Sequence, residues 1–130
     1  MATRSFIGKI NKDDSITAVY CHFDGYPGHV GKILIDNYIT EAQVDSLLAG
    51  GDMSSISNVL NECVFYKDRG EKQTESRTYS AFELFFRAGR DSWAEYFYLF
   101  NHDFWGCWDA DGERVDLSQV IMREENQLDT

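Results

Sequence analysis

Residues 94–108 of the chain, AEYFYLFNHDFWGCW, carry the strongest fold signal in the sequence. Residues 94–100 are almost all aromatic or aliphatic, which is typical of a β-strand with aromatic side chains on both faces. The polar triplet at 101–103 predicts a turn, and residues 104–108 then return antiparallel to the first strand. We therefore expect a C-terminal aromatic hairpin at one end of the fold.

A second hairpin is predicted near the N-terminus. Residues 4–10 and 15–23 are rich in β-branched and aromatic side chains, and the polar residues 11–14 lie between them. Further along the chain, the charged segment 67–78 predicts an exposed loop.

Helices are expected between the two hairpins. A helix should begin at Pro27, whose fixed φ suits the first helical position. Thr40 and Gln43 have the spacing of a capping box at the start of a second helix. A third helix is predicted over 81–88, with Gly89 as its stop. Residues 114–121 predict either a final strand or a short helix.

These elements predict an α+β fold. The expected sheet is antiparallel, with about four to five strands made from the N-terminal hairpin and the C-terminal aromatic hairpin. Two to three helices are expected as insertions between these hairpins. The length of 130 residues fits a single α+β domain, which we place at 1–122, followed by an acidic C-terminal tail at 123–130.

The composition limits the classes of partner. The net charge is −10, and residues 101–130 alone hold eight acidic and two basic residues. This charge argues against direct nucleic-acid binding, which depends on Lys and Arg, and favours a partner with a basic surface. No run of 18 apolar residues occurs, so no membrane span is expected. Three cysteines without a CxxC pair predict a reducing compartment.

The acidic end of the chain is the first candidate site. Exposed tryptophans between carboxylates are typical of protein-contact surfaces. The predicted partner-binding residues are Asp103, Trp105, Trp108, Asp109, Asp111, Glu113 and Asp116. The Asp-Gly within 109–113 predicts a hairpin turn rather than a calcium loop, since the glutamate expected twelve positions on is missing.

The second candidate site is the turn and helix start at Cys21–Lys32. The predicted ligand-binding residues are His22, Asp24, Tyr26, His29 and Lys32. They suit a small molecule or nucleotide held at a helix N-terminus. A metal site and a Cys21 nucleophile are alternatives, but the spacing matches neither a zinc motif nor a phosphate loop. We therefore assign no metal, no cofactor and no catalytic residue, and a purely structural turn stays open.

One string in this region marks a resemblance to a family. Tyr20-Cys21-His22-Phe23-Asp24-Gly25-Tyr26-Pro27, with residues 2–8, 31–32, 37–38, 51–55 and 94–100, resembles small accessory proteins of tailed bacteriophages and prophages. The similarity spans most of the chain outside 67–78. It brings no activity with it, but it implies an accessory phage protein working in the bacterial cytoplasm.

Two functional hypotheses follow. In the first, the chain is a non-enzymatic binding protein that modulates or inhibits a host cytoplasmic protein. Its carboxylates would stand in for nucleic-acid phosphates on a defence or transcription component. In the second, it binds a small molecule or nucleotide at the Cys21–Lys32 turn, with or without catalysis. A homodimer and a virion component stay open.

Overall fold

A computed structural model describes residues 2–128 of the chain. The strands are β1 (Arg4–Ile10), β2 (Ile16–Cys21), β3 (Met53–Ser55), β4 (Val64–Phe65), β5 (Arg77–Tyr79), β6 (Ala94–Asn101), β7 (Phe104–Asp109) and β8 (Arg114–Val115). The helices are α1 (Lys32–Asn37), α2 (Glu41–Ala49), α3 (Phe82–Asp91) and α4 (Leu117–Leu128). A π-helical turn at Pro27–Gly31 leads into α1, and 3₁₀ turns lie at Leu60–Glu62 and Tyr66–Arg69.

All the strands belong to one mixed sheet with the order β4-β3-β2-β1-β6-β7-β8, and β5 also pairs with β2. β1 lies at the centre, antiparallel to β2 and parallel to β6. β2 has two partners on its other side: residues 16–18 pair with β5, and Cys21 pairs with Met53 of β3. The two hairpins therefore join edge to edge through β1 and β6.

The protein is α+β, but the predicted antiparallel sheet of four to five strands with two to three inserted helices is wrong. Within residues 2–128 the sheet has eight strands in parallel and antiparallel pairs, and there are four α-helices. The fourth helix follows the C-terminal hairpin instead of preceding it. The missed strands, β3 and β5, hold three residues each, too few for any periodicity to show.

The sheet is covered on both faces. Because successive strand residues point to opposite sides, Ile7 and Tyr98 face one layer while Phe6 and Phe97 face the other. The larger cluster packs Ile7 and Tyr98 against α1, α2 and α4, and the smaller one packs Phe6 and Phe97 against Phe85 of α3. The core therefore has two layers with the sheet between them.

Local signals place the middle helices well. Thr40 Oγ1 accepts a bond from the Gln43 N–H at 3.2 Å, and Gln43 Oε1 accepts one from the Thr40 N–H at 3.1 Å, which is the predicted capping box. The predicted stop of α3 at Gly89 is wrong, since the helix continues to Asp91. Gly89 is buried inside the helix, and its lack of a side chain makes room for the ring of Phe97.

Helix α4 runs from Leu117 to Leu128 and so crosses the predicted domain boundary at residue 122. The last two residues of the predicted acidic tail, 129 and 130, lie outside the described residues. The division into a domain and a tail stays a prediction. In the part of the chain that the structure describes, no helix combines the length and the apolar character needed to cross a membrane.

Candidate functional site

A groove beside the tip of the aromatic hairpin brings together part of the predicted partner-binding set. Its volume is about 570 Å³, and we call it the Phe104 groove. It is lined by Ile35, Ile39, Asp103, Phe104, Trp105, Arg114, Val115, Asp116, Leu117 and Ser118. These residues come from α1, from the β6–β7 turn and from the β8–α4 junction.

The turn between β6 and β7 positions Phe104. His102 and Asp103 have φ values of 48° and 71°, both in the left-handed region, as in the two-residue turns that suit the twist of a hairpin. Phe104 follows immediately and leaves 76% of its surface exposed. Aromatic side chains at this exposure are common at interaction surfaces and contribute nothing to the core.

Trp105 forms the inner wall of the groove. Its Nε1–H donates to the Tyr38 carbonyl oxygen at 2.9 Å, and its ring packs on Phe100 with the ring centres 5.3 Å apart. This bond fixes the end of α1 against the aromatic hairpin. Ile39, the next residue after Tyr38, is consequently held on the rim with 54% of its surface exposed.

The lining of the groove includes two acidic residues, Asp103 and Asp116. Asp103 lies on the β6–β7 turn, and Asp116 lies at the start of α4, where its Oδ1 accepts a bond from the Gln119 N–H at 3.2 Å. Arg114 is the basic residue in the lining, and its guanidinium lies 4.7 Å from the ring centre of Trp108. The lining therefore combines two carboxylates with apolar side chains.

The other predicted partner-binding residues lie elsewhere. Trp108 is three strand positions from Trp105 and faces the opposite side of the sheet, where its ring lies 5.3 Å from that of Phe82. Asp109 closes the β7–β8 turn, since its Oδ1 accepts bonds from the N–H groups of Asp111 at 2.9 Å and Glu113 at 3.0 Å. Asp111 and Glu113 are exposed on that turn, at the far end of β7 from Asp103.

Sequence reasoning assigned no role to Phe104 or Ile39. Phe104 could have been found, because Phe104 and Trp105 are adjacent in one strand and cannot both face the same core layer. Ile39 could not, because its exposure depends on the contact between Trp105 and Tyr38 across the groove.

The Cys21–Lys32 segment is largely a structural connection. Cys21 is buried, and that burial raises the pKa of its thiol to about 12, so a Cys21 nucleophile is not supported at neutral pH. The Gly25 N–H donates to the Thr3 carbonyl at 2.7 Å, and the Tyr98 hydroxyl donates to the Gly25 carbonyl at 2.6 Å. These bonds attach the turn to β1 and β6.

The five predicted ligand-binding residues do not form one site. His29 and Lys32 line a groove of about 370 Å³ along α1, where Lys32 Nζ lies 3.6 Å from the Asp36 carboxylate. Tyr26 is exposed with its ring 6.1 Å from that of His29, and Asp24 adopts a turn with φ of 58°. His22 lines a different cleft, on the α3 side of the sheet. Within the described residues, no three His, Cys, Asp or Glu side chains are grouped as a metal site would require.

The chain matches no protein-family model, no curated protein and no solved structure. The resemblance to phage accessory proteins therefore stays a prediction.

Proposed function

We propose that the protein is a non-enzymatic binding protein whose Phe104 groove holds a basic, partly apolar segment of a partner protein. The observation that carries the proposal is the exposure of Phe104 and Ile39 beside the carboxylates of Asp103 and Asp116. A lysine or arginine stem can cover the apolar side chains of the lining while its charge meets the carboxylate of Asp103 or Asp116.

The overall charge favours a basic partner over a second copy of the chain. Two copies of the chain, each with a net charge of −10, repel one another. In a symmetric contact through this groove, the carboxylates of Asp103 and Asp116 in one copy would lie near the same carboxylates in the other. A positively charged partner is instead attracted over a distance, which raises the association rate.

The resemblance to phage proteins extends the proposal to a setting. In that setting the partner is a host protein of the bacterial cytoplasm, and its basic surface is one that otherwise holds nucleic acid. Binding would then block a defence or transcription component by occupying the surface that phosphates normally occupy.

Affinity capture with matched variants tests the proposal. The immobilised wild-type protein is incubated with bacterial lysate at about 50 mM and about 500 mM NaCl, because screening weakens exposed ion pairs at the higher salt. Phe104→Ser removes the exposed ring, and Asp103→Asn removes one carboxylate. Val59→Ser is the apolar control, since Val59 is 50% exposed in a different groove, and Glu71→Gln is the charge control in the loop before β5.

We expect a basic protein that is captured at low salt, lost with Phe104→Ser, reduced with Asp103→Asn and unchanged with both controls. Equal capture by all the variants, or no capture at low salt, would contradict the proposal.

A further inference from the structure

A cleft on the α3 side of the sheet carries residues that the Phe104 groove does not use. It lies between the start of β1, the end of β2, β5 and the junction of α3 with β6, and its volume is about 650 Å³. Its lining includes Arg4, Tyr20, His22, Arg77, Tyr79 and Trp93, and we call it the Trp93 cleft. Only His22 belongs to the ligand set predicted from the sequence.

Trp93 has two features that are unusual for a tryptophan. Its φ is 67°, in the left-handed region that glycine adopts readily and a bulky side chain does not. It occupies the position just after α3 where glycine is the usual residue, and its N–H donates to the Arg90 carbonyl at 3.0 Å. Its side chain is also 76% exposed. Strained backbone is often found at binding sites, so the strain and the exposed indole together indicate that a ligand covers Trp93.

Polar groups lie on the same cleft. The Tyr20 hydroxyl and His22 Nδ1 are 2.6 Å apart. Burial raises the pKa of the Tyr20 phenol, and the positive charge of Arg4 opposes that shift. Either the Tyr20 O–H or the His22 Nδ1–H is the donor of this bond, according to the tautomer of the His22 ring.

Arg77 is held beside this group by a buried carboxylate. Asp52 Oδ1 accepts a bond from the Tyr20 N–H at 2.9 Å, and Asp52 Oδ2 lies 3.4 Å from Arg77 Nη1. Arg77 Nη2 donates to the Gln73 carbonyl at 3.1 Å, while half of the Arg77 side chain remains exposed. Asp91 also lines the cleft, so the site balances its two arginines with two aspartates. The net charge of the chain is −10, so a cleft whose arginines balance its aspartates has a less negative electrostatic potential than an average part of the surface.

We propose that the Trp93 cleft binds a small anion that carries a flat ring, of the nucleoside monophosphate class. The ring stacks on the Trp93 indole, and the phosphate is bound by Arg4 and Arg77. The volume lies within the range of small-molecule sites. A bare phosphate would leave the indole uncovered, and a nucleic-acid strand would extend onto the acidic surface, so a mononucleotide fits best.

The test is calorimetry and thermal melting of the full chain with adenosine, guanosine, cytidine and uridine monophosphates. Adenosine, inorganic phosphate and a single-stranded oligonucleotide are the comparison probes. We expect at least one monophosphate to raise the melting temperature and to bind about tenfold or more tightly than adenosine or phosphate alone.

Variants separate a ligand role for Trp93 from a structural one. Trp93→Gly relieves the backbone strain, so we expect an equal or higher melting temperature without ligand, with monophosphate binding weakened about tenfold or more. Trp93→Phe keeps a ring and should lose less affinity. Phe104→Ser is the matched control at the other groove and should bind the monophosphate like the wild type.

Four outcomes would overturn the inference: no monophosphate binds, phosphate alone binds as well, the oligonucleotide binds more tightly, or Trp93→Gly binds like the wild type. The partner-binding proposal fails or succeeds separately, because it depends on Phe104→Ser and not on Trp93→Gly.

Discussion

Gly89 lies inside α3 where the helix contacts Phe97 of β6. A Cβ atom added at Gly89 would lie 2.1 Å from Phe97 Cε1, far closer than two carbon atoms can approach. A glycine inside a helix normally costs about 1 kcal/mol relative to alanine. Here the close approach of helix and sheet outweighs that cost.

Gly89→Ala should therefore destabilise the protein even though alanine is the better helix former. We expect the free energy of unfolding to fall by about 1–3 kcal/mol, measured by urea denaturation, because Phe97 must move out of its place in the core. Glu83→Ala, at an exposed position of the same helix, is the control and should change the free energy by less than about 0.5 kcal/mol. A Gly89→Ala variant as stable as the wild type would contradict this packing account.

The sequence alone could not give Gly89 its role. A glycine after an apolar helical pattern is typical of a helix stop, and only the neighbouring strand shows why the helix continues past it. The same holds for Trp93, since its left-handed φ follows from how α3 ends and not from its residue type.

At the scale of elements, the local signals were informative. The capping box of α2 and the turns of the two hairpins depend on residues within four positions of one another, so the sequence predicts them. The strands β3 and β5 depend on pairing with β2, which lies far from them in the sequence, and carry no signal of their own.

Thr40→Ala tests how much the capping box stabilises the fold. We expect a loss of about 1 kcal/mol in the free energy of unfolding, because the Gln43 N–H at the start of α2 loses its acceptor. Gln43→Ala removes the bonds that Gln43 Oε1 accepts from the Ile39 and Thr40 N–H groups, which water can replace at these exposed positions, and should cost less. If the glutamine variant proves the less stable of the two in thermal and urea melts, the Thr40 hydroxyl is not the main cap.

At the scale of the whole molecule, the layer arrangement was hidden from the sequence. The central pairing of β1 with β6 runs from Arg4 and Ala94 to Lys9 and Phe100. No local sequence pattern predicts a contact between residues so far apart in the chain. The Phe104 groove could not be predicted either, because it forms only where Trp105 holds the end of α1 against the hairpin. The separation of Trp105 from Trp108 was predictable, because strand residues three apart face opposite sides.

The thiols report on the stability of the whole fold. All three cysteines are buried, and burial raises the pKa of both the Cys21 and the Cys107 thiol to about 12. At pH 8 these two thiols are protonated and covered, so a disulfide reagent should react with them only when the structure opens. We expect three thiols per chain to react at once in concentrated urea, and Cys21 and Cys107 to react far more slowly in native buffer. Rapid reaction of two or more thiols without urea would mean that the core is not closed.

The parallel pairing of β1 with β6 also has a consequence for synthesis on the ribosome. Ala94 leaves the translating ribosome 90 residues after its partner Arg4, which takes roughly 5–20 s at ordinary elongation rates. Throughout that interval the nascent N-terminal hairpin has one side of β1 without its neighbour, and such a strand is a ready template for pairing with another chain. Newly made copies are therefore most vulnerable to aggregation before residue 101 emerges. Slow codons in the intervening segment would lengthen that period, and crowded polysomes would bring the unpaired strands of different copies together.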